Sequence, residues 1–307
     1  MRFWARGFAG PGEFRNFGKK FTVTIFMRTI YSIIGLLIAG SCWSITPAEV
    51  RFHNEAADTT TLTQILIDID AMGLETPEAI IAEAGKRFLD VPYVAGTLEC
   101  TPEQLTVNTE ELDCTTFVET ALAIGMTVEN HRTSWRDYIY NLEQLRYRSG
   151  HVNGYGSRLH YVSDWIVDNS HRGNLIEVTE RIGNADTKIK TLDFMSHNRS
   201  LYPALADSAN FEAIKYMEVG YRSHKYYYIK PSNLGGAMLK EGDIVALTTN
   251  TPGLDVTHMG IIKMVNGVPH LMHASSKQKK VIIDPLSLAD YMRRNRTQGI
   301  RVLRLAY

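Results

Sequence analysis

The spacing of apolar residues along the chain changes about halfway. In the N-terminal half they recur at helical intervals. Leu62, Ile65, Leu66 and Ile69 share one face of a predicted helix, with Gly73 just past its end. Thr76-Pro77-Glu78 offers an N-cap, a first-turn proline and a first-turn acid, opening a second helix through Leu89. Phe117, Val118, Ala121 and Leu122 form the stripe of a third, with Asp113 as its cap. A fourth helix is predicted over 134–147, stopping before Gly150, and a weaker fifth over 158–169. Beyond residue 240 the period shortens, and 243–248, 259–265, 268–274 and 299–305 read as strands. Residues 174–235 mix short strand-like pieces with one helix near 210–217. No repeat, low-complexity tract or linker interrupts 45–307, so a single α+β domain is expected there.

The first forty residues follow a different pattern. Arg2, Arg6, Arg15, Lys19, Lys20 and Arg28 stand against one acid, Glu13, and the segment TIYSIIGLLIAGS that follows is uncharged. That stretch falls short of the ~20 apolar residues of a membrane span and fits a signal-peptide core. Ala39 and Ser41 place small residues before Cys42, so residues 1–41 are expected to be a leader and the rest, 42–307, an exported chain. The same arrangement is similar to a lipoprotein box, which makes Cys42 a candidate lipid anchor; the periplasm or the envelope membrane is the expected location. Met27-Arg28 directly precedes the apolar core, which makes Met27 an alternative start.

Charge then sharpens the picture. The whole chain balances 33 Lys+Arg against 33 Asp+Glu, which speaks against a nucleic-acid partner. Without the leader, 27 basic residues face 32 acids, a formal charge of −5. A basic surface clinging to an anionic polymer is therefore not expected, and recognition should be local. Three cysteines are too few for a disulfide-built scaffold.

Cys114 sits in the first turn of the helix capped by Asp113. Unsatisfied backbone N–H groups and the helix dipole there favour a thiolate and could cradle an oxyanion. A buried hydrophobe, or a disulfide with Cys100, is the bland alternative. A second feature bears on this choice. Asn266-Gly267 is the dipeptide of a two-residue type I′ hairpin turn, which pairs Val265 with Val268. Continued down the ladder, that register puts His258 and His273 on one face as diagonal neighbours, with Gly260 opposite His273. His270 pairs with Lys263 on the other face. One cysteine and two such histidines fit either a Cys-His-His triad or a zinc ligand set.

The ordered motifs Pro92-Tyr93-Val94-Ala95-Gly96, Asp113-Cys114-Thr115-Thr116-Phe117-Val118, Glu241-Gly242-Asp243, His258-Met259-Gly260-Ile261 and His273-Ala274-Ser275-Ser276 resemble the NlpC-type papain-like cysteine peptidases. The resemblance spans about residues 75–305. PYVAGTLE, DCTTFVE and the stretch Ser157-Arg158-Leu159-His160-Tyr161 look closest to a larger branch regarded as N-acetylmuramoyl-L-alanine amidases. It implies a papain-like α+β fold with the nucleophile helix packed on an antiparallel sheet. It makes Cys114 the nucleophile, His258 its base, His273 the orienting member, and Tyr93 an aid to the oxyanion or substrate. Arg158, His160, Trp165 and Ser275 become candidate substrate contacts, Arg158 as a cation for stem-peptide carboxylates and Trp165 as a ring against sugar or peptide. Glu99 and Glu119 are read as structural.

The expected activity is hydrolysis of the N-acetylmuramoyl-L-alanine amide in peptidoglycan fragments by a monomer, without metal or organic cofactor. Ala95-Gly96 and Thr115-Thr116 depart from the commoner members, which disfavours the usual D-glutamyl specificity. A stem-peptide endopeptidase of the same superfamily remains the alternative within the class. A zinc-binding or catalytically silent wall-binding module is the alternative outside it.

Overall fold

The computed structural model describes residues 50–306. The expected leader, the start at Met27 and the candidate anchor Cys42 lie outside the described residues. The N-terminal helices form where their apolar stripes and caps place them. Helix α1 (Glu55–Asp70) is capped by the Asn54 side chain and buries Leu62, Ile65, Leu66 and Ile69. At the head of α2 (Pro77–Lys86), Thr76 accepts from the Ala79 N–H. Helix α3 (Cys114–Glu129) carries a full capping box, and α4 (Trp135–Arg146) starts at the Ser134 cap. Helix α5 (Val162–His171) begins later than the expected 158. Arg158 is held extended by a bridge to Tyr147, and the Leu159 N–H donates to the Arg146 carbonyl at 3.0 Å. Helix α6 (Ser208–Gly220) extends the helix expected near 210–217 at both ends, and α7 (Leu288–Arg294), which the pattern did not announce, follows the last hairpin.

The main sheet has six strands in the order β3 (Leu175–Glu177), β10 (Gly299–Leu305), β6 (Ile244–Thr248), β7 (Val256–Val265), β8 (Val268–Ser275) and β9 (Lys280–Ser287), all antiparallel. A parallel pair, β1 (Val50–Phe52) and β2 (Leu105–Val107), and an antiparallel pair, β4 (Asp186–Lys190) and β5 (His224–Tyr228), stand apart from it. The β7–β8 register is the one the Asn-Gly turn dictates, from Val265–Val268 to Ile261–Met272, with φ of 52° and 79° at Asn266 and Gly267. Strand β7 starts at Val256, ahead of the expected 259, so His258 lies within the strand. Strand β9 was not legible because Pro285 interrupts its pattern. Proline is tolerated there since β9 is the sheet edge and its register with β8 shifts between His270 and Met272.

Helix α3 is the hub of the packing. Phe117, Val118, Ala121, Leu122, Ala123 and Ile124 are wholly buried, and the helix lies against α2, β7 and β8. Gly125 permits the close approach of α2, because a Cβ there would stand 2.9 Å from Ile81 Cγ1. A second cluster (Val245, Leu247, Ile262, Leu271, Leu288, Met292, Ile300 and Val302 among its members) joins the sheet to α7. This is the α+β arrangement expected, with helices packed on an antiparallel sheet. Helix α3 thereby delivers its N-terminus to the middle strands, where both histidines sit.

Candidate active site

Asp113 organises the head of α3. Its Oδ1 accepts from the N–H groups of Thr115 and Thr116 at 3.0 and 2.8 Å, and the Thr116 hydroxyl accepts from the Asp113 N–H at 2.8 Å. The cap therefore consumes two of the amides that the sequence had offered to an oxyanion. The amide of Cys114 itself stays beside the sulfur, which also takes hydrogen bonds from the Met259 N–H and the Thr115 hydroxyl. Met259 is the neighbour of His258, so this contact ties the thiol to the histidine strand. Cys114 is half-buried, and both it and Cys100 are free thiols, so the disulfide alternative is not formed.

The two histidines face each other. His258 Nε2 lies 2.6 Å from His273 Nδ1, with the ring planes at 89°. The far nitrogen of His273, Nε2, is buried without a hydrogen-bond partner and lies 3.6 Å from Asp284 Oδ2. A carboxylate at that place favours the proton on His273 Nε2, which makes Nδ1 an acceptor and His258 Nε2 the donor. His258 Nδ1 is then left with a lone pair, the form a general base requires. Two ring nitrogens in mutual contact do not converge on a common point. Among the described residues no group of three or more His, Cys, Asp or Glu is arranged to hold a metal ion.

Burial dominates the electrostatics. It pushes the Cys114 thiol up to about 11, and the Asp113 carboxylate adds to the rise, outweighing the amide and hydroxyl donors. The dipole argument for a resting thiolate is thus overruled by desolvation and by the cap's own charge. Burial also pulls His258 down to about 3, with His273 contributing, and His273 down to about 4. At neutral pH the resting site holds a thiol and two neutral imidazoles.

Sequence reasoning missed two residues of this site. Asp284 reaches His273 from the irregular part of β9, where its Oδ1 accepts from the Leu286 N–H and its carbonyl is met by His270 Nδ1 at 2.9 Å. It is the only acid between Asp255 and Asp290, which was a usable signal. Tyr291 of α7 stands 5.3 Å from the His273 ring and stacks at 6.4 Å on His258. Burial, Asp284 and Cys114 together push its hydroxyl up to about 12. Tyr93 bridges to Leu112 just ahead of α3, where burial and then the charges of Cys114 and Asp113 raise its pKa.

The remaining candidates separate. Ser275 is 5% exposed and lines, with His258 and His273, a cavity of about 150 Å³. Trp165 is 2% exposed, so its ring belongs to the interior rather than to a substrate platform. Arg158 is likewise buried and engaged, its guanidinium 2.7 Å from Glu99 and 3.3 Å from Glu103. It is neither a solvated cation nor one free for a carboxylate. His160 stacks on Tyr155 at 4.4 Å, and a ring nitrogen meets the Tyr155 carbonyl at 2.9 Å. Gly260 lets Leu271 pack closely against β7, since a Cβ there would meet Leu271 Cδ1 at 2.6 Å.

With fold and site in view, residues 83–300 match the AmiA-like family, described as N-acetylmuramoyl-L-alanine amidase-like, and the chain belongs to that family of hydrolases. An N-acetylmuramoyl-L-alanine amidase from Bacteroides uniformis is 40% identical, with a TM-score of 0.70 over 74% of this chain and 99% of that one. A Bacteroides fragilis structure named as a candidate xylanase is also 40% identical, at a TM-score of 0.69 over 73% of this chain and 100% of its own. A Legionella pneumophila protein shares the fold at 18% identity and a TM-score of 0.64, covering 83% and 97% of the two chains. No curated protein matches the chain.

Proposed function

We propose that the protein is a cysteine-dependent N-acetylmuramoyl-L-alanine amidase of the papain-like, NlpC-type superfamily, acting on peptidoglycan fragments in the cell envelope after export. The observation that carries the reading is the His258–His273 contact at 2.6 Å, one residue from the Met259 amide that holds the Cys114 sulfur. It occurs in a chain whose family is amidase-like. A glycosidase would need two carboxylates flanking the scissile bond, whereas this centre is a thiol with two imidazoles.

The sequence of events follows from the resting charges. Because thiol and imidazole are both neutral, His258 Nδ1 takes the thiol proton as Sγ attacks the lactyl carbonyl of the muramic acid. The oxyanion develops beside the Cys114 N–H, with the Tyr93 hydroxyl on the same flank. The tetrahedral adduct collapses to a thioester, and the L-alanine amine leaves with the proton from His258. Water then attacks the thioester, His258 accepts its proton, and the muramic carboxylic acid is released with Cys114 restored. His273 and Asp284 hold the tautomer and orientation of His258 throughout.

Incubation with one pure muropeptide, followed by mass analysis of both products, tests the reading. Release of a peptide that begins with L-alanine is expected. Products cut inside the stem would make the protein an endopeptidase, and binding without hydrolysis would make it a wall-binding module.

A further inference from the structure

The cavity beside the two histidines and Tyr291 is also lined by Lys277, Gln278 and Arg294. We infer that this cavity is a subsite for a carboxylate-bearing arm of the peptide stem, gripped by Lys277 and Arg294. The inference rests on the amidase reading above and names the substrate feature that the same site selects.

Charge distribution points to an anion. Over residues 259–283 the chain carries Lys263, Lys277, Lys279 and Lys280 and no acid, and α7 ends in Arg293 and Arg294, although residues 42–307 as a whole are acidic. Several of these cations are neutralised in place: Lys263 by Glu241, Lys280 by Asp90, Arg293 by Asp290. Lys277 and Arg294 are both exposed, and among the described residues neither has a carboxylate partner. The one acid on the cavity wall, Asp284, is already committed to His273 and the Leu286 amide. Two uncompensated cations over a concave wall focus positive potential where an anionic substrate enters. Arg158, the cation that the sequence nominated for this task, is spent on Glu99 and Glu103.

Size narrows the ligand. A cavity of about 150 Å³ has room for about five water-sized groups. That suits a carboxylate on a short side chain. The hydroxyls of Ser275 and Ser276 and the amide of Asn295, which also line the cavity, supply further donors to a carboxylate.

The test compares a muropeptide carrying a free carboxylate on its second stem residue with the same molecule amidated at that position. The full chain is expected to show a KM about 10-fold lower for the acid form, the scale of two exposed charge contacts. In the Lys277→Ala/Arg294→Ala double variant that ratio should collapse toward one, and in the full chain it should shrink with added salt. A second measurement needs no turnover: calorimetric titration of Cys114→Ala, with and without the two cation substitutions, by the acid and amidated peptides. Equal KM for both forms in the full chain, or an unchanged ratio in the double variant, overturns the subsite and leaves the amidase reading standing. A calorimetric preference for the acid form that depends on Lys277 and Arg294, in a protein that cleaves neither peptide, keeps the subsite and removes the amidase reading. Equal calorimetric affinities for the two peptides overturn the subsite on their own.

Discussion

Helix α3 carries two buried polar centres, and they are built on opposite plans. At its N-terminus Cys114 meets the Met259 amide, one residue from His258, which in turn meets His273; the thiol and both imidazoles are neutral at rest. Further along the same helix, Glu119 meets Arg146 at 2.7 Å, each side chain 3% exposed, and Arg146 Nη1 donates to the Thr106 carbonyl at 2.6 Å. At the Glu119 centre carboxyl and guanidinium meet directly; burial raises the Glu119 pKa, Arg146 opposes that rise, and the polar groups are satisfied in place. The Cys114 centre holds a neutral thiol and two neutral imidazoles, with His258 Nδ1 keeping a lone pair and His273 Nε2 lying 3.6 Å from Asp284 without a hydrogen bond. A buried pair that supports a fold is closed upon itself. On the proposed reading, the neutral centre acquires charge only when a substrate is attacked.

The sharpest break of this comparison is one substitution at each centre. Cys114→Ala should abolish muropeptide hydrolysis, on the scale of about 10⁶-fold for loss of a nucleophile, while leaving the denaturation midpoint close to that of the parent. Arg146→Ala should do the reverse in kind. It strands Glu119 in the interior and should cost about 3–5 kcal/mol in urea unfolding. Equal losses of stability from both would erase the distinction. Next in size, Asp284→Asn should lower kcat by about 10²-fold or more with a smaller change in KM, because an amide no longer selects the His273 tautomer that readies His258. An unchanged kcat would remove Asp284 from the relay.

Acid stability probes the neutral plan as a whole. Folded His258 and His160 stay unprotonated down to about 3 and His273 to about 4, whereas an unfolded imidazole takes up its proton near 6.5. Between those limits the unfolded chain binds more protons, so stability must fall as pH drops from 6.5 toward 4, by on the order of 1–2 kcal/mol per imidazole at pH 5. Thermal midpoints at pH 7 and 5 read this directly, and coincident midpoints would contradict it. The smallest effect concerns the cap. Asp113→Asn keeps a side-chain acceptor for the Thr115 and Thr116 amides but removes the charge that helps raise the thiol. The pH dependence of iodoacetamide alkylation at Cys114 should shift downward by a fraction of a pH unit. An upward shift would mean that the cap stabilises the thiolate.

Legibility in the sequence followed the range of the interaction. The Asn54, Thr76, Asp113 and Ser134 caps act within one turn of their helices, and two of the four, Thr76 and Asp113, were read from neighbouring residues. The 266–267 turn fixes its hairpin for the same reason, and the pairing of His258 with His273 came with it. Strand β9 was hidden because Pro285 breaks its pattern, a break that only an edge position excuses. Arg158 and Trp165 were misread because a polar or aromatic residue in a weak helical pattern says nothing about which distant carboxylates or core side chains will enclose it.

What the sequence determined alone is the local chemistry: a thiol at a capped helix head, two histidines on one hairpin face, and a change from helical to strand period between the halves. These rest on contacts a few residues apart and on the alternation of a single hairpin. Tertiary structure alone decided that Asp284 and Tyr291 join the histidines, that Arg158 is spent on Glu99 and Glu103, and that Lys277 and Arg294 have no carboxylate partner among the described residues. It also set the balance at the thiol, because desolvation depends on everything packed around a group: at the half-buried Cys114, burial and the Asp113 charge outweigh the amide and hydroxyl donors.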